Sequence, residues 1–467
     1  MAGRSDYRRV ADEVAREIES GALRGGERLP TQRAFARRRG IANSTAIRVY
    51  GELTRRGLVV GEVGRGTFVR AAAPHPGGAA LTERVEPEPE GRAESPVDAN
   101  PPVNLELNYP VVEGQSALMA SALAQLSRPD VLLEATRAAA PDGTPEAREA
   151  AVSVLARGGW RPEPGQVLFA GNSRQAIAAA LSSLVRPGGR VGVEEVTYPL
   201  VRAIAEQLGL RLVPIAMDEQ GMLPDALADA HRGAPLAAVY VQPTLHNPLS
   251  ITMGEARRLE LAATVRDLGC HVVEDGTWGF LAEDAPAPFA ALLPERVILV
   301  DSLSKRLAPG LTLGMLAAPP AHLDALARSL RSGAWTAGAF GLAAAVRWVG
   351  DGTVETLVAA KRADAGVRHE IVRAVRGRLA AAGVKGRIRT DPRSYYCWWE
   401  LPPPWRAETF VAAAAARGIA VTPGPAFAVG GHRAADAVRI GLASPPTDVL
   451  AAALDTLAAL VTEGPRP

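Results

Sequence analysis

The chain has 467 residues, 47% hydrophobic and 22% charged, which is enough for two or three globular domains around a large core. The net charge of +2 is uneven: residues 1–70 carry 15 Arg against 8 acids, and the remainder carries 37 basic against 42 acidic residues. A basic head on a faintly acidic body points to an anionic partner for the head, while two cysteines, no bilayer-length apolar run and a polar, Arg-rich start argue against a secreted or membrane protein and fit the cytoplasm.

In chain order, Tyr7, Val10, Val14 and Ile18 recur at helical spacing. Thr31, after Leu29-Pro30, is a good N-cap for a second helix carrying Phe35, and Gly40 closes it. Asn43 or Ser44 caps a third helix with Ile47, Tyr50 and Leu53 inward, and Gly57 follows its end. Apolar runs at 58–60 and 67–69, around Gly61, Gly64 and Gly66, predict a hairpin, or wing. Helices joined by a short turn suit a helix-turn-helix, with Asn43, Ser44, Thr45 and Arg48 facing base edges in the major groove. Arg33, Arg37, Arg38 and Arg55 then suit phosphates, and Arg65 suits backbone or minor-groove contact. A basic three-helix bundle that binds protein, or nothing, fits the periodicity equally well.

Residues 71–102 hold seven Pro, three Gly and six acids, with few large apolar residues. That composition cannot form a core and predicts a flexible linker, which as a coil spans roughly 30 Å. Beyond it, apolar runs at 166–170, 190–193, 211–216, 237–241, 271–274 and 297–300 alternate with Ala/Leu-rich helical stretches. This predicts an α/β body with a mainly parallel sheet over residues 103–467, and a smaller α+β subdomain from about residue 330 with β signals at 395–401, 419–421 and 438–442.

Ligands of such sheets sit at the carboxyl ends of strands. Those ends carry Asn172-Ser173-Arg174, Tyr198, Asn247, Asp275 with Trp278, and Ser302-Leu303-Ser304-Lys305. A phosphate cradle, an acid, an aromatic and a lysine suit pyridoxal 5′-phosphate (PLP), and call for no metal. A lysine amine forms a Schiff base with the aldehyde. An aspartate pairs with the pyridinium nitrogen, and a helix N-terminus takes the phosphate. The chain has only three lysines (Lys305, Lys361 and Lys385) among its 52 basic residues, so a lysine in such a setting invites a chemical role. Taken singly, Asp275 reads equally as a helix cap, Tyr198 as core and Lys305 as a solvated side chain.

Longer strings resemble known families. Tyr7-Arg8-Arg9-Val10-Ala11, Gly26-Glu27-Arg28-Leu29-Pro30-Thr31-Gln32-Arg33 and Gly64-Arg65-Gly66-Thr67-Phe68-Val69 resemble the GntR family of winged helix-turn-helix repressors over residues 6–70. The resemblance implies that Arg33, Ser44, Thr45, Arg48 and Gly66 lie at the DNA. From about 105 to 460 the chain resembles fold-type I PLP enzymes of the aspartate aminotransferase class. This implies Lys305 as the Schiff-base lysine, Asp275 at the pyridinium, Asn247 at the ring hydroxyl and Tyr198 on the ring. It also implies a phosphate site of Asn172, Ser173, Arg174, Ser302 and Ser304, and Arg439, in Val438-Arg439-Ile440-Gly441, gripping an amino acid's carboxylate.

Three positions depart from the enzyme pattern. Thr312 replaces an arginine that usually holds the phosphate, leaving Arg306 or Arg174 to compensate. Trp278 replaces a tyrosine, and residues 137–143 lack another. Head and body together resemble the MocR subfamily of bacterial regulators. That implies a homodimeric transcription factor that binds operator DNA (1–70), joined by the linker (71–102) to a body sensing PLP or an amino compound. A working aminotransferase with an accessory head, or a body serving only for dimerisation, are the other readings.

Overall fold

In the computed structural model, which describes residues 6–20, 22–23, 27–56, 58–62, 66–69, 103–430 and 436–464, the head is three helices and a hairpin. The elements are α1 (Asp6–Glu19), α2 (Gln32–Arg39), α3 (Asn43–Arg55), β1 (Val59–Glu62) and β2 (Gly66–Val69). Gly57, Gly64, Arg65 and the segment 71–102 lie outside the described residues. Thr31 caps α2 as expected: its Oγ1 accepts from the Ala34 amide at 3.3 Å. Gly40 ends α2 in the left-handed region at φ 64°. Replacing Thr31 by alanine should cost about 1 kcal/mol, seen as faster amide exchange across α2.

Two expectations for α3 change. Ala42, with no side-chain bond, is its N-cap, so Asn43 and Ser44 sit inside the first turn with their side chains uncommitted to capping. Ile47 is 50% exposed, and the inward stripe is Ala46, Val49, Tyr50 and Leu53. The three- and four-residue steps from Ala46 define that stripe, and Ile47 lies about 100° away from Ala46 around the helix. The head core closes on Phe35 and Tyr50, whose rings meet edge-on at 5.3 Å. The Tyr50 hydroxyl donates to the Pro30 carbonyl.

The body opens with β3 (Val103–Asn104) and continues into β4 (Val167–Ala170), β5 (Arg190–Glu194), β6 (Arg211–Ile215), β7 (Ala238–Val241), β8 (His271–Asp275), β9 (Val297–Ser302) and β10 (Gly314–Ala317). From β4 on these form one seven-stranded sheet in the order β4-β10-β9-β8-β7-β5-β6. Only β10 runs antiparallel to its neighbours. Strands covered on both faces read as continuous apolar runs, which is why the sequence reveals them. Phe169, Val239, Val272 and Leu299 face one helical layer; Leu168, Val191, Val273 and Ile298 face the other.

The smaller lobe is a second sheet. Its strands are β11 (Arg387–Arg389), β12 (Tyr396–Glu400), β14 (Thr422–Pro423) and β15 (Ala437–Gly441), in the order β11-β12-β15-β14, with β13 (Ile419–Ala420) beside them in sequence. This lobe begins later than expected. The helix Ala339–Gly350 still packs into the large lobe through Leu342 and Trp348. The helix Thr353–Ala381 crosses over, with Leu357 in the large-lobe core and Val372 and Val375 in the small-lobe core. The small lobe also reaches back to the start of the body: β3 pairs in parallel with β13, and Leu105 is in the small-lobe core. Among the described residues no helix is long and apolar enough to cross a membrane.

Candidate functional site

Two surfaces carry the candidate chemistry. On the head, Asn43, Ser44, Ile47 and Arg48 are exposed on one side at the start of α3, with Thr45 half-buried beside them. Arg33, Arg37 and Arg38 are exposed on α2. Arg55 differs from expectation. Its guanidinium donates twice to Glu52, at 2.9 and 2.6 Å, and that pairing holds the Glu52 carboxyl down to about 2. Arg55 is thereby paired within α3, on a carboxylate that Arg56 shares, while most of its side chain stays exposed. Gly66 has φ 123°, and a Cβ there would lie 2.7 Å from Arg28 Nε, so the position takes only glycine without strain. Ile47 was missed as a surface residue because it reads as core; an exposed apolar side chain on this face suits a thymine methyl.

On the body, the carboxyl ends of the parallel strands meet a pocket lined by Ser173, Tyr198, Asn247, Asp275, Trp278, Lys305 and Arg439, all singled out from sequence. Asp275 is the last residue of β8. Its carboxylate accepts from the Tyr240 hydroxyl at 2.7 Å and from the Thr277 amide at 3.0 Å. Burial pushes the carboxyl up, and those two hydrogen bonds oppose it. Tyr240 reads as strand core in sequence, and only the strand pairing of β7 with β8 brings it to Asp275. Arg439 is 2% exposed, and burial lowers its affinity for the proton. The Arg174 charge acts on the Tyr198 phenol, which places Arg174 near the pocket although it does not line it.

A segment with no sequence signal completes the pocket. Residues 105–109 run along the pocket as a strap, and Glu106, Leu107, Asn108 and Tyr109 line it. Lys305 Nζ donates to the Asn108 carbonyl at 3.0 Å and lies 4.1 Å from the Tyr109 ring centre. Arg439 Nη2 donates to the Glu106 carbonyl. Gly441 makes this approach possible: a Cβ there would lie 2.4 Å from the Leu107 carbonyl oxygen.

Several buried polar atoms around the pocket have no hydrogen-bond partner: Asn247 Oδ1, Thr277 Oγ1, Ser302 Oγ and Arg439 Nε. Such orphans are costly unless a ligand answers them. An amide facing a ring oxygen, a hydroxyl facing a phosphate and a guanidinium facing a carboxylate are the complements of a phosphorylated pyridine and an amino acid, so the residues fit PLP. Behind Asn247 a neutral pair lies deeper. Burial raises the Glu194 carboxyl to about 8 and lowers His246 to about 3, so their 3.8 Å approach is between an uncharged acid and an uncharged imidazole.

The Arg306 and Asn172 side chains, expected at the cofactor, are placed otherwise. Arg306 turns away from the pocket to pair through both terminal nitrogens with Asp301, which also takes Arg157 at 2.7 Å. A fully buried carboxylate claims it, so Arg306 does not substitute for the missing phosphate arginine. Thr312 is exposed and brings no cation. The Asn172 side chain is spent as N-cap of α4 (Ser173–Leu184), accepting from the Gln175 amide at 2.9 Å. That leaves its backbone, with Ser173, at the helix start. Ser302 is fully buried and Ser304 half-buried, beside the pocket and off its lining.

Comparison with known proteins gives two family matches. Residues 102–457 match the family model for aminotransferase class I and II, and residues 6–69 match that for bacterial regulatory proteins of the gntR family. The uncharacterized HTH-type transcriptional regulator YdeF of Bacillus subtilis is 27% identical over 94% of this chain and 91% of its own. The HTH-type pyridoxine biosynthesis transcriptional regulator PdxR of Corynebacterium glutamicum is 25% identical over 68% of this chain and 67% of its own. The kynurenine aminotransferase of Pyrococcus horikoshii has a structure that superposes with a TM-score of 0.71 at 22% identity, over 78% of this chain and 91% of that one.

Proposed function

Because the chain belongs to the aminotransferase class I and II family and carries a gntR-type regulatory head, we propose that it is a DNA-binding transcriptional regulator whose pocket takes PLP, and an amino compound with it, as its signal. One observation carries this reading. Lys305, Asp275, Asn247, Tyr198 and Arg439 line a single pocket in a chain whose head exposes the start of a recognition helix.

When bound, PLP supplies an aldehyde that condenses with amines and a ring that draws electrons from the attached carbon. The residues of this chain do the rest. Lys305 provides the amine that tethers the aldehyde. Asp275, fixed by Tyr240 and Thr277, accepts the hydrogen of the ring nitrogen. Asn247 answers the ring oxygen, Tyr198 covers one ring face and Trp278 closes the side. The start of α4 with Ser173, Arg174, Ser302 and Ser304 takes the phosphate. Arg439 grips the carboxylate of an amino compound through two parallel hydrogen bonds. Residues 71–102 join this sensor to the head, and a cytoplasmic homodimer presents two heads to two half-sites of an operator.

Operator affinity measured with and without PLP tests the reading. A change that saturates together with PLP uptake supports it. Equal affinity at full PLP loading overturns it in favour of an enzyme or a dimerisation body; sustained turnover of an amino acid would identify the enzyme.

The head makes its own prediction. Arg48→Ala should cost about 1–3 kcal/mol at the matching operator and relax its sequence preference, as loss of a base contact does. Arg33→Ala should weaken all duplexes alike and lower the slope of log affinity against log salt by about 1. Equal effects of the two variants across sequences would remove the division into reading and anchoring residues.

A further inference from the structure

We propose that residues 105–109 form a strap that ligands displace, and that its release is the signal sent to the DNA head. This rests on the regulatory reading above and adds a moving part to it. The strap is held over the pocket by the two cations that binding recruits. Lys305 Nζ donates to the Asn108 carbonyl at 3.0 Å, and Arg439 Nη2 donates to the Glu106 carbonyl. A lysine nitrogen that joins an aldehyde carbon as C=N loses two hydrogens, which leave with the aldehyde oxygen as water. It cannot then hold the Asn108 carbonyl as the ammonium does. An Arg439 that takes a carboxylate through two of its nitrogens likewise gives up the Glu106 carbonyl, or shares it. The unpartnered Arg439 Nε shows that the guanidinium is not filled by the strap alone.

The remaining anchors of the strap lie outside the pocket. Asn104 Oδ1 accepts from the amides of Glu106 and Leu107 at 2.9 and 3.2 Å. Ser444 Oγ accepts from the Tyr109 amide at 3.0 Å, and the Leu105 amide donates to the Ala420 carbonyl at 2.8 Å. The Gly441 amide also donates to the Leu105 carbonyl at 2.7 Å and the Ala443 amide to Asn108 Oδ1 at 3.1 Å, and Leu105 is buried in the small-lobe core, so the strap pivots on these neutral contacts when the two cations let go. Upstream of β3 the chain runs through residues 70–102 to the wing, so the strap is the first part of the sensor reached from the head.

The test uses the full chain and PLP as the probe. Amide exchange of residues 105–109 is followed while the visible absorbance reports loading. Exchange faster by about tenfold on loading, the size expected for one lost anchoring hydrogen bond, with β8 and β9 unchanged, is the expected result. Unchanged or slower exchange at full loading overturns the strap. In parallel, Asn104→Ala and Ser444→Ala loosen the strap without touching the pocket lining. They should bind PLP at least as tightly as the wild type, because the strap no longer competes as strongly, and their ligand-free operator affinity should shift toward that of the loaded wild type. Wild-type operator affinity in variants that load PLP normally also overturns it, and if neither variant folds, the exchange measurement decides. A protein that shows no visible band, or whose operator affinity ignores PLP, fails at the regulatory reading; one that loads and responds with a motionless strap fails here alone.

Discussion

Lys305→Ala should abolish the shifted visible band that distinguishes lysine-linked PLP from the free aldehyde. The reason is the shortage of amines. Of the three lysines, Lys385 is exposed on the small lobe. Lys361 is fully buried with its Nζ turned to the carbonyls of Lys305 and Leu307, at 3.0 and 2.6 Å. Burial lowers Lys361 to about 7, so much of it is an unprotonated amine near neutrality, yet it faces backbone behind the pocket and does not line it. Among the described residues no second lysine lines the pocket. Spectra of wild type and variant at increasing PLP settle the point, and a band of undiminished height in the variant would remove Lys305 from the role given to it. Lys305→Arg should behave like the alanine variant, because a guanidinium keeps its charge and does not add to the aldehyde.

The largest stability effect should come from Asp301. It is fully buried and pairs with both Arg157 and Arg306, the latter only 4% exposed. Asp301→Ala leaves two guanidiniums facing each other without a counter-charge. Removing one partner from a buried ionic set costs about 3–5 kcal/mol, mostly the penalty of the stranded charge. The midpoint of urea unfolding should fall accordingly with an unchanged slope. The double variant Asp301→Ala, Arg306→Met should recover part of that loss, because one stranded charge goes with it. A single variant as stable as wild type would mean that water reaches the arginines freely.

Much of the body was legible because its strands are buried on both faces and read as unbroken apolar runs, and because polar residues at their carboxyl ends stand out against that background. Asp275, Tyr198, Asn247 and Lys305 were found that way. What stayed hidden depends on contacts far apart in sequence. Tyr240 looks like one more apolar strand residue until β7 lies beside β8. The strap is five residues with no periodicity, and its place is set by Ala420, Arg439, Gly441 and Ser444. Arg306 follows Lys305 directly, and adjacency suggested the phosphate. A turn there sends consecutive side chains opposite ways, and the buried Asp301 takes the guanidinium. Ile47 reads as inward because it stands three residues before Tyr50 and six before Leu53, but the stripe is set by Ala46, Val49, Tyr50 and Leu53, which leaves Ile47 at its edge and exposed.

The β3–β13 pairing and the strap have a consequence for how the protein is made. The head has an apolar core of its own, built from residues between Val10 and Val69, so that core can form before the body is made. Leu105 and Tyr109 wait for Ala420, Gly441 and Ser444, which lie far downstream of them in the chain. A chain cut before Ala420 would therefore keep the head core but lack Arg439 and the strap anchors Ala420, Gly441 and Ser444. Such a fragment would occupy operators without hearing the signal, and cells that accumulate it would hold the regulated genes in one state whatever their PLP supply.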